Sequence, residues 1–296
     1  MKSCLISDNI HKSFGRKEVL RGFSFKAESS QITFLAGKNG AGKTTWLRIA
    51  SGILSASKGK ILFDGLCINK TRNKLAIVFD EPPVYRHLNG NENLRQLSGS
   101  KINTDHSRYI LDVLNLDPQF LKKKAGHYSL GQRHRLAVAA ALIRHPSYVF
   151  LDEPSIGLDP YSWDLVSKLL INMVKNGATI VVTGQDFNLM EKMADKIIVL
   201  NQGQSIFEGK PKELISRFPV TIFVHTDDID KLQRIVDTHV VTKNDNISAI
   251  DCCSPERAKE LIELIKQNEI QFEEIYIKKM SLEESFAKLV DSGDMS

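Results

Sequence analysis

Short apolar runs recur along the first two thirds of the chain, bounded by glycine or polar residues: QITFLAG (31–37), LAIVF (75–79), YVFLD (148–152), TIVVTG (179–184) and KIIVLNQG (196–203). Strands that are apolar throughout, without polar alternation, suit a sheet covered on both faces. Helical stretches separate them, so the pattern predicts an α/β core. After GQSIFEGKPKELISRFP the pattern changes, and Pro219 marks the expected boundary between domains 1–218 and 219–296. VTIFVH reads as a strand, Ile229, Leu232, Ile235 and Val236 form a helical stripe, and HVVTKNDNISAIDC reads as a hairpin turning at 244–246. A second helix carries Ala258, Leu261, Ile262 and Ile265, and the strand IQFEEIYIKK follows. This βαββαβ order predicts a small α+β, ferredoxin-like domain. Ser281 and Glu284 then stand in capping-box spacing before a last helix with Leu282, Phe286 and Leu289 on one face. No internal repeat or low-complexity linker interrupts the chain.

Composition adds one asymmetry. With 42% hydrophobic and 25% charged residues in 296, the chain is ordinary globular material for one large domain or two unequal ones. Its longest apolar run, LAVAAALI (136–143), is short of a membrane span, and MKSCLISDNIHKSFG lacks the apolar core of a signal peptide. A cytoplasmic location is therefore expected. The four cysteines make no CxxC spacing and are expected to be reduced, packed thiols. The net charge of +5 is uneven: residues 220–296 hold 9 Lys/Arg against 16 Asp/Glu, which leaves the front of the chain strongly basic. That front can meet phosphates or anionic headgroups, whereas the acidic rear repels them.

The basic part holds the chemistry. GKNGAGKTT (37–45) satisfies G-x-x-x-x-G-K-[ST] through Gly37, Gly42, Lys43 and Thr44, after a strand and before the helix TTWLRIASGIL. Its glycines let backbone N–H groups turn inward around phosphate oxygens, helped by the positive helix N-terminus. Lys43 is expected to neutralise β- and γ-phosphate charge and Thr44 to ligate magnesium, with Asn39, Gly40 and Thr45 completing the nucleotide contacts. YVFLDEP (148–154) brings Asp152 toward the same metal and places Glu153 to orient or deprotonate an attacking water. Alone, such a pair reads as a solvated strand end; beside the cradle it reads as catalytic.

Between these motifs stands YSLGQRHRLAVAAALIRHP (128–146), and the ordered set, over about residues 3–217, resembles the ATP-binding subunit of an ABC transporter. In that family an LSGGQ-like signature presents a serine hydroxyl and glycine N–H groups to the γ-phosphate held by the opposite subunit, so a head-to-tail dimer sandwiches two ATP. Ser129, Gly131 and Gln132 match the signature; Tyr128 and Leu130 depart, Leu130 replacing a glycine. The resemblance implies a P-loop NTPase core with a helical subdomain at about 82–146, and ATP and Mg2+ as cofactors. It also implies a separate transmembrane subunit that holds the chain at the inner face of the cell membrane. Phe14 stands where an aromatic ring stacks on adenine, its alternative being a core phenylalanine. Leu158 and Asp159 stand at the D-loop, where Asp159 is otherwise a turn or cap residue.

Two positions depart further. After LAIVF the family usually has a glutamine that contacts magnesium and the attacking water; here Asp80 stands there, an acidic pair before proline like that of some exporter ATPases. An aspartate can still reach magnesium through water. In VVTGQDF (181–187), Gln185 occupies the place of the switch histidine, unless it is only a helix-start residue. Its amide can donate to a phosphate oxygen but cannot become a cation near neutral pH. Binding intact and hydrolysis slow is the expectation. The tail segment SLEESFAKLV is similar to one found in exporter ATPases with separate membrane subunits, whose cargo ranges over drugs, antimicrobial peptides, lipids and ions. The leading expectation is an exporter ATPase, as homodimer or heterodimer. The competing one is an ATP-gated switch or a degenerate partner with weak hydrolysis. A nucleic-acid role is disfavoured, since the tail is acidic and lacks the aromatic RNA-binding pattern.

Overall fold

Strand β1 (Leu5–Phe14) pairs antiparallel with β2 (Lys17–Ala27), an element that the apolar-run pattern does not announce. The structure is a computed structural model describing residues 4–99, 104–154, 158–236, 240–244 and 247–292. It divides into two units, residues 1–209 and 210–296. In the first unit follow β3 (Gln31–Ala36), α1 (Lys43–Ala50), β4 (Lys58–Phe63), α2 (Ile68–Thr71) and β5 (Leu75–Val78). Next come α3 (Gly90–Ser98), α4 (Asp105–Val113), α5 (Pro118–Lys122) and α6 (Leu130–Leu142). The unit ends with β6 (Tyr148–Asp152), α7 (Pro160–Lys175), β7 (Thr179–Gly184), α8 (Phe187–Met193), β8 (Lys196–Asn201) and β9 (Gln204–Gly209).

The apolar runs pair as expected of buried strands. They form a six-stranded sheet in the order β5-β6-β7-β3-β8-β9, parallel except for β9. Every residue of β6 and β7 is buried. In the β3/β7/β6 register, Ala36 lies opposite Gly184 and Asp152 opposite Thr183. The carboxyl ends of three strands distant in sequence therefore release their loops side by side, which is where open α/β sheets bind ligands. The second sheet, β2-β1-β4, is antiparallel. It was not foreseen because one face meets water, so β1 alternates instead of running apolar, and a shift between Ser7 and Ile10, where Asn9 has φ 50°, breaks even that alternation.

The two sheets share a core in which Trp46 of α1 has no exposed surface. Its ring lies 5.0 Å from Phe25 and 5.6 Å from Phe150, and its Nε1 donates to Ser7 Oγ at 3.1 Å. That contact holds in place the helix that begins with Lys43 and Thr44. Helices α3 to α6 fill the stretch between β5 and β6, with Leu94, Ile110, Leu121 and Leu136 buried.

In the second unit, α9 (Pro211–Ser216), β10 (Val220–His225), α10 (Ile229–Ile235), β11 (Val240–Asn244) and β12 (Ile247–Cys252) precede α11 (Pro255–Gln267), β13 (Glu274–Lys278) and α12 (Leu282–Asp291). The antiparallel sheet runs β11-β12-β10-β13. The division falls before Pro219 because α9 packs on α12. The middle of the expected hairpin turn, residues 245–246, lies outside the described residues. All four cysteines are unpaired, and among the described residues no helix is long and apolar enough to cross a membrane. Truncating Trp46 should leave a cavity beneath α1: Trp46→Ala is expected to lose about 3–5 kcal/mol of stability, read as a lower midpoint in urea unfolding.

Candidate active site

The loop leaving β3 can only be built from glycine at its first step. A Cβ on Gly37 would lie 2.5 Å from the Leu200 carbonyl oxygen of β8. Gly42 caps α1 at φ 116°, a left-handed conformation that a side chain would strain. Because that cap supplies no side-chain hydrogen bond, the first N–H groups of α1 remain available to an anion. Lys43 is 5% exposed; its Nζ donates to the Gly37 carbonyl at 2.6 Å and lies 3.1 Å from Glu153 Oε1. The lysine thus binds back onto its own loop and the candidate base.

Asp152, at the end of β6, is 1% exposed. Its Oδ1 accepts from Thr183 Oγ1 and, at 3.5 Å, faces Thr44 Oγ1, while Oδ2 is buried with no partner among the described residues. Burial pushes its pKa up, with the nearby Asp80 charge adding to the rise, while the threonine hydrogen bonds and Lys43 oppose it. The next residue turns sharply: Glu153 has φ 45°, and its N–H donates to the Thr183 carbonyl at 3.1 Å. A non-glycine residue there stores about 1–3 kcal/mol of strain, and the reward is a carboxylate aimed back at Lys43. Thr183 is the residue sequence reasoning missed; a threonine near the end of a strand that also opens with Thr179 gives it no distinctive signal.

Gln185 follows β7, and its Nε2 donates to Asn39 Oδ1 at 2.8 Å, so the switch position touches the phosphate loop directly. Capping of α8 falls to Asp186, whose Oδ1 accepts from Leu189 N at 3.1 Å, which separates Gln185 from the helix start itself. Asp80 is exposed, with Oδ1 accepting from Glu81 N at 2.9 Å, close enough to bear on Asp152 electrostatically. On α6, His134 is 1% exposed, burial lowers its pKa, and among the described residues its buried Nε2 finds no hydrogen-bond partner.

Other expected residues stand apart from this cluster: among the described residues, no hydrogen bond or ion pair joins Phe14, Ser129, Gly131, Gln132 or Asp159 to the cradle. Ser129 caps α6 in a capping box, its Oγ accepting from Gln132 N at 3.2 Å and its N–H donating to Gln132 Oε1 at 2.9 Å. The cap uses one lone pair and leaves the hydroxyl hydrogen free to donate. Leu130 is exposed, whereas Tyr128 is buried and donates to the Phe120 carbonyl at 2.8 Å. Phe14 is 50% exposed, with Lys12 Nζ 5.2 Å from its ring centroid, so it is not a core residue. Asp159 caps α7 through Ser162, whose hydrogen bonds lower its pKa; residues 155–157 before it lie outside the described residues.

The donor set fits a magnesium ion that keeps most of its water. Asp152 Oδ2 is an orphaned buried oxygen and Thr44 Oγ1 lies beside the same carboxylate. Among the described residues no three His, Cys, Asp or Glu gather as a metal cage, the arrangement expected when phosphates supply the remaining ligands. A raised pKa means the folded state prefers Asp152 protonated, so its contribution to stability is complete at low pH and lost as pH rises through the folded pKa. Asp152→Asn should therefore melt higher than the parent in metal- and nucleotide-free buffer, with the difference in Tm growing from acid to neutral pH in a thermal-shift series.

Comparison with known proteins completes the picture. The model of the family "ABC transporter" matches residues 20–156. The energy-coupling factor transporter ATP-binding protein EcfA2 of Clostridium perfringens is 32% identical over 216 residues, covering 67% of this chain and 74% of its own length. The lantibiotic transport ATP-binding protein SrtF of Streptococcus pyogenes is 30% identical over 207 residues, covering 68% and 88%. Among solved structures, the dimeric ATP-binding cassette MJ0796, in a post-hydrolysis state with ADP and Pi, shares the fold with TM-score 0.63 at 23% identity over 70% of this chain and 98% of its own. The chain belongs to the ABC transporter family, as one of its ATP-binding subunits.

Proposed function

We propose that this subunit binds and hydrolyses ATP with magnesium in a head-to-tail dimer, and that it thereby drives export through a separate membrane subunit on the cytoplasmic face of the cell membrane. The observation that carries the reading is the convergence of Lys43, Thr44, Asp152 and Glu153 at the ends of β3 and β6. Thr44 and Asp152 would hold a magnesium ion, with Asp80 facing its water shell, and the ion would supply positive charge against the phosphates. The protein's own steps follow from the ion pair. Phosphate oxygens compete for Lys43; as the lysine turns to them, Glu153 Oε1 is released to accept a proton from water. Gln185 retains one amide N–H beyond the bond to Asn39, enough to donate to a γ-phosphate oxygen.

A dimer supplies what one chain lacks here, since Ser129 lies apart from its own cradle and keeps a free hydroxyl hydrogen. The dimeric MJ0796 cassette supports that reading. Export draws support from the lantibiotic transport role of SrtF and from the C-terminal unit, whose last helix opens on the Ser281–Glu284 capping box. That unit's βαββαβ order and β11-β12-β10-β13 sheet support a ferredoxin-like accessory domain. The stretch from Asp80 to Leu94, with Tyr85 exposed, is the proposed docking surface for the membrane subunit.

The Asn39–Gln185 bond favours a second reading, in which the switch residue stays engaged by the cradle and ATP mainly clamps the dimer. Single-turnover hydrolysis by the purified dimer separates the two. Under the first reading the parent hydrolyses, Glu153→Gln falls by about 10²–10⁴-fold, and Gln185→His accelerates the parent by at most about 10²–10³-fold. A parent as inert as Glu153→Gln, with turnover restored by Gln185→His, would instead make it a binding switch. Independently, Lys43→Ala should abolish transport while the subunit still co-purifies with its membrane partner; unchanged transport would sink the motor role.

A further inference from the structure

Thr183 carries the buried hydroxyl whose partners decide how Asp152 is presented. It is fully buried on β7, a strand paired with β3 on one side and β6 on the other. Register sets it opposite Asp152, so the two side chains leave neighbouring strands on one face of the sheet. Its Oγ1 has two partners. It accepts from Glu153 N at 3.3 Å, an N–H shared with the Thr183 carbonyl at 3.1 Å, and it donates to Asp152 Oδ1. The first bond occupies a lone pair and leaves the hydroxyl hydrogen to the carboxylate. A β-branched side chain has few χ1 choices, so the donor itself is stiff. Thr44, the other hydroxyl near Oδ1, stands off at 3.5 Å, beyond the usual range of such a bond. The last torsion of an aspartate is broad and two-fold, so a carboxylate without a firm partner can exchange its two oxygens. Here Oδ1 is taken, and Oδ2 is the oxygen left buried with no partner among the described residues.

We propose that Thr183 is a positioning residue for magnesium: by holding Oδ1, it makes Oδ2 the oxygen that Asp152 offers to the ion and sets the direction of that offer. This rests on the reading of Asp152 as a magnesium ligand. Magnesium demands near-ideal octahedral geometry, whereas calcium accepts more flexible arrangements. The hydroxyl acts on the geometry of the site and not on its charge, so its loss has a signature of its own in the choice of ion. Because the Glu153 N–H closes on the same hydroxyl, the carboxylate for the metal and the turn that carries the candidate base share one anchor.

The test is a binding measurement, independent of turnover. The affinity for ATP is titrated with magnesium, with calcium and with EDTA for the parent, Thr183→Val, Thr183→Ser, Asp152→Asn and the Thr183→Val/Asp152→Asn pair. Thr183→Val keeps the branched shape and removes the donor. Its magnesium-dependent gain in affinity should fall about tenfold, as for loss of a group that orients a metal ligand, and its calcium-dependent gain by less, while affinity in EDTA is unchanged. Thr183→Ser restores the hydroxyl and should recover the gain, and the double variant should be no worse than Asp152→Asn alone. Should Thr183→Val fail to fold, Thr183→Ala takes its place with the same expectation. The positioning role is overturned, with Asp152 still standing as a ligand, if Asp152→Asn loses the gain and Thr183→Val keeps it. Equal losses in Thr183→Ser and Thr183→Val, or equal losses with magnesium and calcium, overturn it as well. If Asp152→Asn keeps the gain, the magnesium reading itself falls and the role of Thr183 falls with it.

Discussion

Asp152 is a carboxylate with almost no exposed surface at the end of a strand that is buried along its whole length, and the neighbourhood of the cradle is arranged around that charge. An isolated ion in such a place costs several kcal/mol after relaxation. Thr183 and Thr44 donate toward Oδ1, Lys43 contributes positive charge, and Oδ2 is left bare. The offset is incomplete, which is why its pKa stays raised. A cation arriving with a nucleotide would complete it. Burial of Asp152 therefore opposes its ionisation, a coupling of site to stability that an uncharged strand end could not provide.

The Lys43–Glu153 pair belongs to the same economy of charge. Two oppositely charged side chains, 5% and 16% exposed, hold each other at 3.1 Å. Glu153 reaches the lysine only because its backbone adopts a left-handed turn stabilised by the Thr183 carbonyl. Thr183 thus serves both carboxylates, one through its side chain and one through its main chain. Its place in β7 is dictated by pairing with β6, not by any local motif.

The departures from the family pattern sort themselves by burial. Tyr128 is structural: its ring stacks 4.2 Å from Phe120, its hydroxyl satisfies the Phe120 carbonyl, and a Cβ on Gly90 would lie 2.6 Å from that oxygen. Leu130, by contrast, is exposed in the first turn of α6, where it alters the surface beside Ser129 without affecting the core. Gln185 is bound into the cradle, while Asp80 is exposed and accepts from the N–H of Glu81. None of the four disturbs the fold that carries it.

Much of this was legible in the chain alone, and the reason is locality. Apolar runs marked β3, β5, β6, β7 and β8 because a strand covered on both faces has no polar alternation to hide it. The spacing of Gly37, Gly42, Lys43 and Thr44 announced a phosphate cradle because every residue in it acts through its own backbone turn. Capping boxes at Ser129 and Ser281 are likewise contained within four residues. The half-solvated strands β1, β2 and β4 escaped because bulges blur an alternation that is weak to begin with. The second unit begins ahead of Pro219 because α9 packs with α12, some way down the chain. Tertiary structure alone decided that Thr183 stands opposite Asp152 and that Gln185 reaches Asn39. Those meetings depend on the order and register of strands in a sheet, and on which helix covers which loop, quantities that backbone pairing and close packing set across the whole domain and that no short stretch of sequence contains.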